Sequence, residues 1–388
     1  MIRIIDDIIE IKKGKKPKTV VKELQESFLP YVDIKAFEQG IVDNYTDGEK
    51  CLPCEDGDLL IVCDGSRSGL VGKAIKGYVG STLARIDIDD SVIPEYIYYF
   101  IQGKYKQLNT NMKGTGTPHI NQDLLKSFDI YVPTINEQKK IVSKIEELFS
   151  QLDSGVETLK KTKEQLKVYR QAVLKEAFSK AGNNYILLGD IIEKPKYGTS
   201  KKCDYSYDEK SVSVFRIPNI NYKSGIISHC DLKYAEFTDV ELSSINLKEN
   251  DILIIRSNGS VSLVGRSAVV RSIDVNSTFA GYLIRLRLID ATQTKAKYLH
   301  YFLESHEART YIESTAKSTS GVNNINSNEV KNIIIPMCDE VNMKNIISEI
   351  EARLSVCDSI EKTIDKSLQE AEALRQSILK QAFEGGLV

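Results

Sequence analysis

Lysines set beside glycine and hydroxyl groups are the first candidates for chemistry in this chain. KKGKKPK places Lys12, Lys13, Lys15, Lys16 and Lys18 within seven residues. EKPKYGTSKK, residues 193 to 202, sets Lys196, Lys201 and Lys202 beside Tyr197, Thr199 and Ser200. Charge, short hydroxyl donors and backbone N–H groups together suit contacts to phosphate. A solvated charged turn accounts for either run taken alone. Their occurrence at matching places in a repeated chain brings the phosphate reading forward.

Two further clusters share that pattern. KGTGTPHIN carries Lys113, Thr115, Thr117 and His119; its match KSTSGVNNIN carries Lys317, Thr319 and Asn323. Asn121 and Asn326 close these stretches where a helix cap is expected. CDGSRSG brings Ser66 and Arg67, and RSNGS brings Arg256, Ser257, Asn258 and Ser260. Arginine and asparagine are the side chains that read guanine and adenine edges. Tight turns between strands are the simpler use of the same glycines.

Other chemistries lack their motifs. There is no G-x-x-x-x-G-K-[ST], no G-x-S-x-G and no H-E-x-x-H, and only four histidines. No glycine-rich dinucleotide loop follows a strand, and no Asn/Asp-Pro-Pro-aromatic tetrad occurs. Cys51, Cys54 and Cys63 have partly metal-like spacing, but a structural zinc site needs four ligands. Buried small side chains are the better reading. The seven scattered cysteines and the start MIRIIDDIIE, which does not resemble a signal peptide, lead us to expect reduced thiols in a cytoplasm. No run of 18 apolar residues suggests a membrane span. With 41% hydrophobic and 27% charged residues the chain is globular, and its net charge of −2 gives no global basic signal. Local clustering of charge therefore has to carry any nucleic-acid binding.

A long internal repeat must position these clusters. KVYRQAVLKEAF (167–178) and EALRQSILKQAF (372–383) share six of twelve residues, 205 positions apart. KKIVSKIE and KNIISEIE keep the same offset, as do HIN and NIN. Upstream matches drift in spacing: GDLLIVCDGSRSGLVGKA against NDILIIRSNGSVSLVGRSA, YIYYF against YLHYF, and DIIE at 7 against DIIE at 190. Loops thus vary while a downstream segment holds register. Heptad spacing of Ile145, Leu152, Leu159, Leu166 and Val173 predicts a long helix. Its copy carries Ile350, Cys357, Ile364, Ala371 and Ile378. Residues 137–180 hold ten basic and seven acidic side chains, and 339–384 hold six and ten. Opposite net charges favour pairing the two helices with each other.

The fold class expected is α/β: two mixed α/β modules separated by a pair of long antiparallel coiled-coil helices, with an internal two-fold pseudo-repeat. The expected segments are 1–134, 135–180, 181–337 and 338–388. LLIV (59–62) and ILII (252–255) read as buried strands. YLIRLRLI (282–289) alternates Arg285 and Arg287 with apolar residues, which predicts a half-exposed strand. The stretches 94–108 and 295–312 read as amphipathic helices.

HINQDLLKSFDIYVPTINEQKKIVSKIEEL (119–148), the repeated R-Q-[AS]-[VI]-L-K-[EQ]-A-F phrase, and GDLLIVCDG with NDILIIRSNGS resemble the specificity subunit of Type I restriction–modification systems. The resemblance spans essentially the whole chain. It implies two target-recognition domains, each reading half of a split site in double-stranded DNA, with the helix pair setting the gap. It implies docking of two modification subunits, which bring S-adenosylmethionine and methylate adenine, and of restriction subunits. It implies no catalytic residue, cofactor or metal in this chain. Glu137 and Gln138 at the helix junction, and Arg170, Phe178, Arg375 and Phe383 in the repeated phrase, would hold partners. The second junction, PMCDEVNMKNII, departs from the first and puts docking there in doubt. A rival reading is a coiled-coil scaffold whose modules bind proteins; a third is an enzyme with an unfamiliar site.

Overall fold

The computed structural model describes residues 1–114, 116–319 and 321–387. They form two compact units, Met1–Lys160 with Asp365–Val388, and Lys161–Ile364. Two helices, Ile135–Ser179 and Glu340–Phe383, contribute to both units. Each unit therefore contains the start of one long helix and the end of the other. No helix among the described residues is long and apolar enough to cross a membrane.

In the first unit a four-stranded antiparallel sheet runs in the order Ile9–Lys13, Leu83–Ile88, Leu59–Val62, Val71–Lys73. Both faces of Leu59–Val62 are covered, which explains its unbroken apolar run. Leu59 and Ile61 face the helix Pro94–Thr110 and the long helices. Leu60 and Val62 face a second core with Val32, Val79 and Leu83. Ile2–Ile4 pairs with Asp129–Tyr131, just before the first long helix begins.

The second unit repeats this plan with more strands. Lys196–Tyr197, Leu283–Leu286, Ile252–Ile255 and Ser267–Val269 are neighbours in a six-stranded sheet. Ile252 and Ile254 face the helices, while Leu253 and Ile255 face Phe215 and Phe279. The half-exposed strand expected from YLIRLRLI is instead buried on both faces. Arg285 donates to the Asn246 carbonyl, and Arg287 forks onto the buried Asp251 at 2.7 Å from both Nε and Nη2. Alternation of charge thus marked internal ion pairing rather than a wet face. The predicted helix 295–312 is two helices, Gln293–Leu303 and His306–Thr315, because Ser305 caps the second.

The repeated phrase closes each unit by the same contact. Phe178 meets Tyr298 and Phe302 edge-on at 5.1 and 5.3 Å in the second unit. Phe383 meets Tyr96 and Phe100 edge-on at 4.9 and 5.3 Å in the first. Tyr298–Phe302 and Tyr96–Phe100 are the matched ends of YLHYF and YIYYF.

Candidate nucleic-acid interface

Each unit gathers three of the predicted loops at one end of its central strand. In the first, Gly14 N–H donates to the Leu83 carbonyl at 2.9 Å, and Ile120 N–H donates to Cys63 at 2.7 Å. In the second, Gly198 N–H reaches the Leu283 carbonyl at 3.4 Å, and Ile325 N–H donates to Arg256 at 3.0 Å. A side chain at either glycine would collide with backbone: an added Cβ lies 2.3 Å from the Gly80 oxygen or 2.2 Å from that of Phe279. The lysine runs are therefore pinned against the sheet at corresponding points, Lys13 matching Tyr197 and Cys63 matching Arg256.

The pinned ends carry different chemistry. Lys13 Nζ sits 2.9 Å from Asp64, whose other oxygen is 2.7 Å from His119 Nδ1. Burial raises the Asp64 carboxyl, but hydrogen bonds from His119 and Lys13 outweigh it and hold the group below its usual range. In the second unit the Arg256 guanidinium lies 4.5 Å from the centre of the Tyr197 ring. The Tyr197 oxygen accepts from Ser327 N–H at 3.1 Å and lies 2.7 Å from Ser327 Oγ. Asp64, 55 residues from His119, was missed as a site residue; only a tertiary contact joins them.

The remaining candidates divide by what already holds them. Lys12 pairs with Glu10 and Asp87, Lys18 with Glu49, Lys113 with Asp123, and Arg67 with Glu38. Lys201 pairs with Glu241 and lies over Phe237. Lys15, Lys16, Lys196 and Lys202 are exposed and have no ion pair among the described residues. Ser66, Thr117, Ser200 and Ser260 are exposed, and Thr199 is half-buried. The Thr199 hydroxyl accepts from Lys201 N–H. Ser257 is buried within the short pairing Ser257–Asn258 with Val322–Asn324. The Asn258 side-chain oxygen accepts Ser260 N–H at 2.8 Å, which holds the turn. Asn323 Nδ2 steadies that turn through the Asn258 and Gly259 carbonyls. Thr115 lies outside the described residues, as do the side chains of Lys317 and Thr319.

The residues expected to hold partners are largely internal. Gln138 is fully buried: Oε1 accepts Ile93 N–H, and Nε2 donates to the Ser91 and Pro133 carbonyls, each at 2.9 Å. Glu137 is exposed but reciprocates a capping box with Thr134. Phe178 is buried, and Phe383 packs on the first core. Arg170 pairs with Asp358 and Glu361, and Arg375 with Asp153. The repeat thus marks the same internal packing made once in each unit. At the second junction Asp339 caps Asn342, and Met343 takes the buried place matching Gln138. The divergent sequence there is another solution to the same joint. Cys54 and Cys63 lie in separate cores, where burial pushes both thiols up to about 11.

A family model for the Type I restriction modification DNA specificity domain matches residues 1–168. The StySPI specificity subunit of Salmonella potsdam is 26% identical over 403 residues, covering 96% of this chain and 85% of the relative. The EcoKI specificity subunit of Escherichia coli is 24% identical with the same coverages. A chain from a structure titled for complex assembly and conformational transition of the type I R-M system superposes with a TM-score of 0.76. That chain is 17% identical, with 100% of this chain and 98% of that one covered. The HsdS subunit from Thermoanaerobacter tengcongensis gives 0.56 at 16% identity, covering 100% and 97%. These superpositions agree with the expected α/β fold.

Proposed function

We propose that this chain is a specificity subunit of a Type I restriction–modification system and reads a two-part DNA target for a cytoplasmic methyltransferase complex. Residues 1–134 and 181–337 act as two target-recognition domains, each meeting one half of the site. Residues 135–180 and 338–388 join them and hold the gap between the halves. Methylation of adenine is the work of two modification subunits, which bring S-adenosylmethionine; restriction subunits complete the nuclease. This chain supplies recognition and no catalytic group.

The observation that carries the reading is the duplicated loop frame. Gly14 and Gly198 pin lysine-bearing runs beside equivalent turns in both units, and the second run adds Tyr197, Thr199 and Ser200. The exposed ammonium groups at Lys15, Lys16, Lys196 and Lys202, without an ion pair among the described residues, suit phosphates, while the turn side chains suit base edges. A net charge of −2 is compatible with this because the contacts are local.

The test is genetic. Host DNA is mapped for adenine methylation with and without this chain. One bipartite motif should lose methylation throughout when the chain is deleted and regain it on complementation. Persistence of every such motif would reject the function.

A further inference from the structure

The two recognition frames differ in a way that predicts unlike half-sites. The chain has 13 arginines. Twelve have a hydrogen-bond or carboxylate acceptor, either across their own unit, as at Arg3, Arg67, Arg85 and Arg216, or on the paired helix. Arg256 has none among the described residues. Its Nε is buried without a partner, so the two Nη atoms are left as the accessible end of the fork.

That fork is held in place. Arg256 N–H donates to the Tyr282 carbonyl and its own carbonyl accepts Ile325 N–H. The guanidinium lies on Tyr197, and Ser327 fixes Tyr197 in turn. A preorganised planar fork loses little freedom on meeting two parallel acceptors. In duplex DNA, O6 and N7 of guanine present such a pair in the major groove. Phosphate also offers paired oxygens. A phosphate contact needs charge more than fixed orientation, and the exposed Lys196 and Lys202 already supply that charge.

The first unit has nothing equivalent among its described residues. Cys63 occupies the position of Arg256 and is buried. Lys13, in the place of Tyr197, is committed to Asp64, and Arg67 is committed to Glu38. Resting on the DNA-recognition reading above, we infer that Arg256, steadied by Tyr197, reads a guanine in the half-site met by the second unit. The matching position in the other half-site is read by different chemistry, centred on Asp64 and His119.

The test uses the full chain purified with its companion subunits. Binding is measured on duplexes carrying the mapped motif, with each guanine replaced in turn by 7-deazaguanine, which removes N7 and keeps base pairing. One replacement, in one half-site, should weaken the wild type by about tenfold or more. Arg256→Ala should bind the unmodified duplex more weakly by a similar factor and ignore that replacement. Tyr197→Phe should retain the preference, and Tyr197→Ala should lose much of it. His119→Ala should alter preference in the opposite half-site and leave the guanine dependence intact, which also shows that the chain stays folded. A uniform loss from Arg256→Ala, with the wild type indifferent to every 7-deazaguanine, would assign Arg256 to phosphate and overturn the inference. A wild type that does not prefer the motif over scrambled duplex would reject DNA recognition itself.

Discussion

Phe178 and Tyr298 pack edge to face with ring centroids 5.1 Å apart, and Phe383 and Tyr96 repeat the contact at 4.9 Å. Both phenylalanines end the phrase that occurs twice in the sequence. Each belongs to a long helix whose other end lies in the other unit's residues. Truncating either ring to alanine should cost about 3–5 kcal/mol through lost burial and a cavity. Proteolysis followed by mass spectrometry should locate the first cleavage in the second unit for Phe178→Ala and in the first for Phe383→Ala. Early cleavage at the same place in both variants would argue that the two ring pairs do not act locally.

Gln138 makes three hydrogen bonds at the start of the first long helix, all of them to backbone groups. Gln138→Ala leaves Ile93 N–H and two carbonyls without that partner, costing about 2–4 kcal/mol. Met343→Gln, in the matching place, should also destabilise. Thr292 Oγ1 already caps the neighbouring helix at Lys295 N–H, so a second amide would have to be buried without a comparable set of partners. Urea unfolding midpoints would check both. A Gln138→Ala midpoint equal to wild type would show the joint is not structural.

His300 is buried in the second unit, with Nδ1 2.9 Å from Ser267 Oγ. Burial first, then the nearby Arg266 and Lys297 charges, pull its pKa down to about 4. The unfolded chain binds the proton near pH 6.5, so this group's contribution is complete above that value. It declines as pH falls from about 6.5 towards 4, by roughly 3 kcal/mol. His300→Gln, which cannot titrate, should lose less stability than wild type between about pH 7 and 4.5. Identical pH profiles would contradict a neutral buried imidazole.

Lys15 and Lys16 are the cations of the first lysine run that have no ion pair among the described residues. Replacing both with alanine should weaken DNA binding by the complex equally on all sequences. The slope of log affinity against log salt should fall by about 0.9 for each phosphate no longer neutralised. Lys12→Ala should change it less, because Lys12 already serves Glu10 and Asp87. A sequence-dependent effect of the double change would move these lysines from phosphate to base contact.

Periodicity and repetition were legible in the linear chain. Apolar runs at 59–62 and 252–255 marked strands covered on both faces, because only such strands tolerate unbroken burial. Heptads marked the long helices, and Asn121 and Asn326 announced the caps they make. Arg285 and Arg287 misled because alternation records side, not solvent: a charge on the inner side is equally periodic if a carboxylate or carbonyl meets it.

The duplication, the two helices and the families of loop that could touch DNA depend only on spacing along the chain, so the linear order of residues was enough to define them. Which cations are already spent depends on folding. Lys13 and Arg67 are tied to carboxylates far away in sequence, while Arg256 is propped on a ring and left without an acceptor among the described residues. Folding also turned one face of the repeated phrase inward, ending at Phe178 and Phe383, and left the other face exposed; an exposed partner surface and an internal seam share one amphipathic pattern until the covering side chains are known.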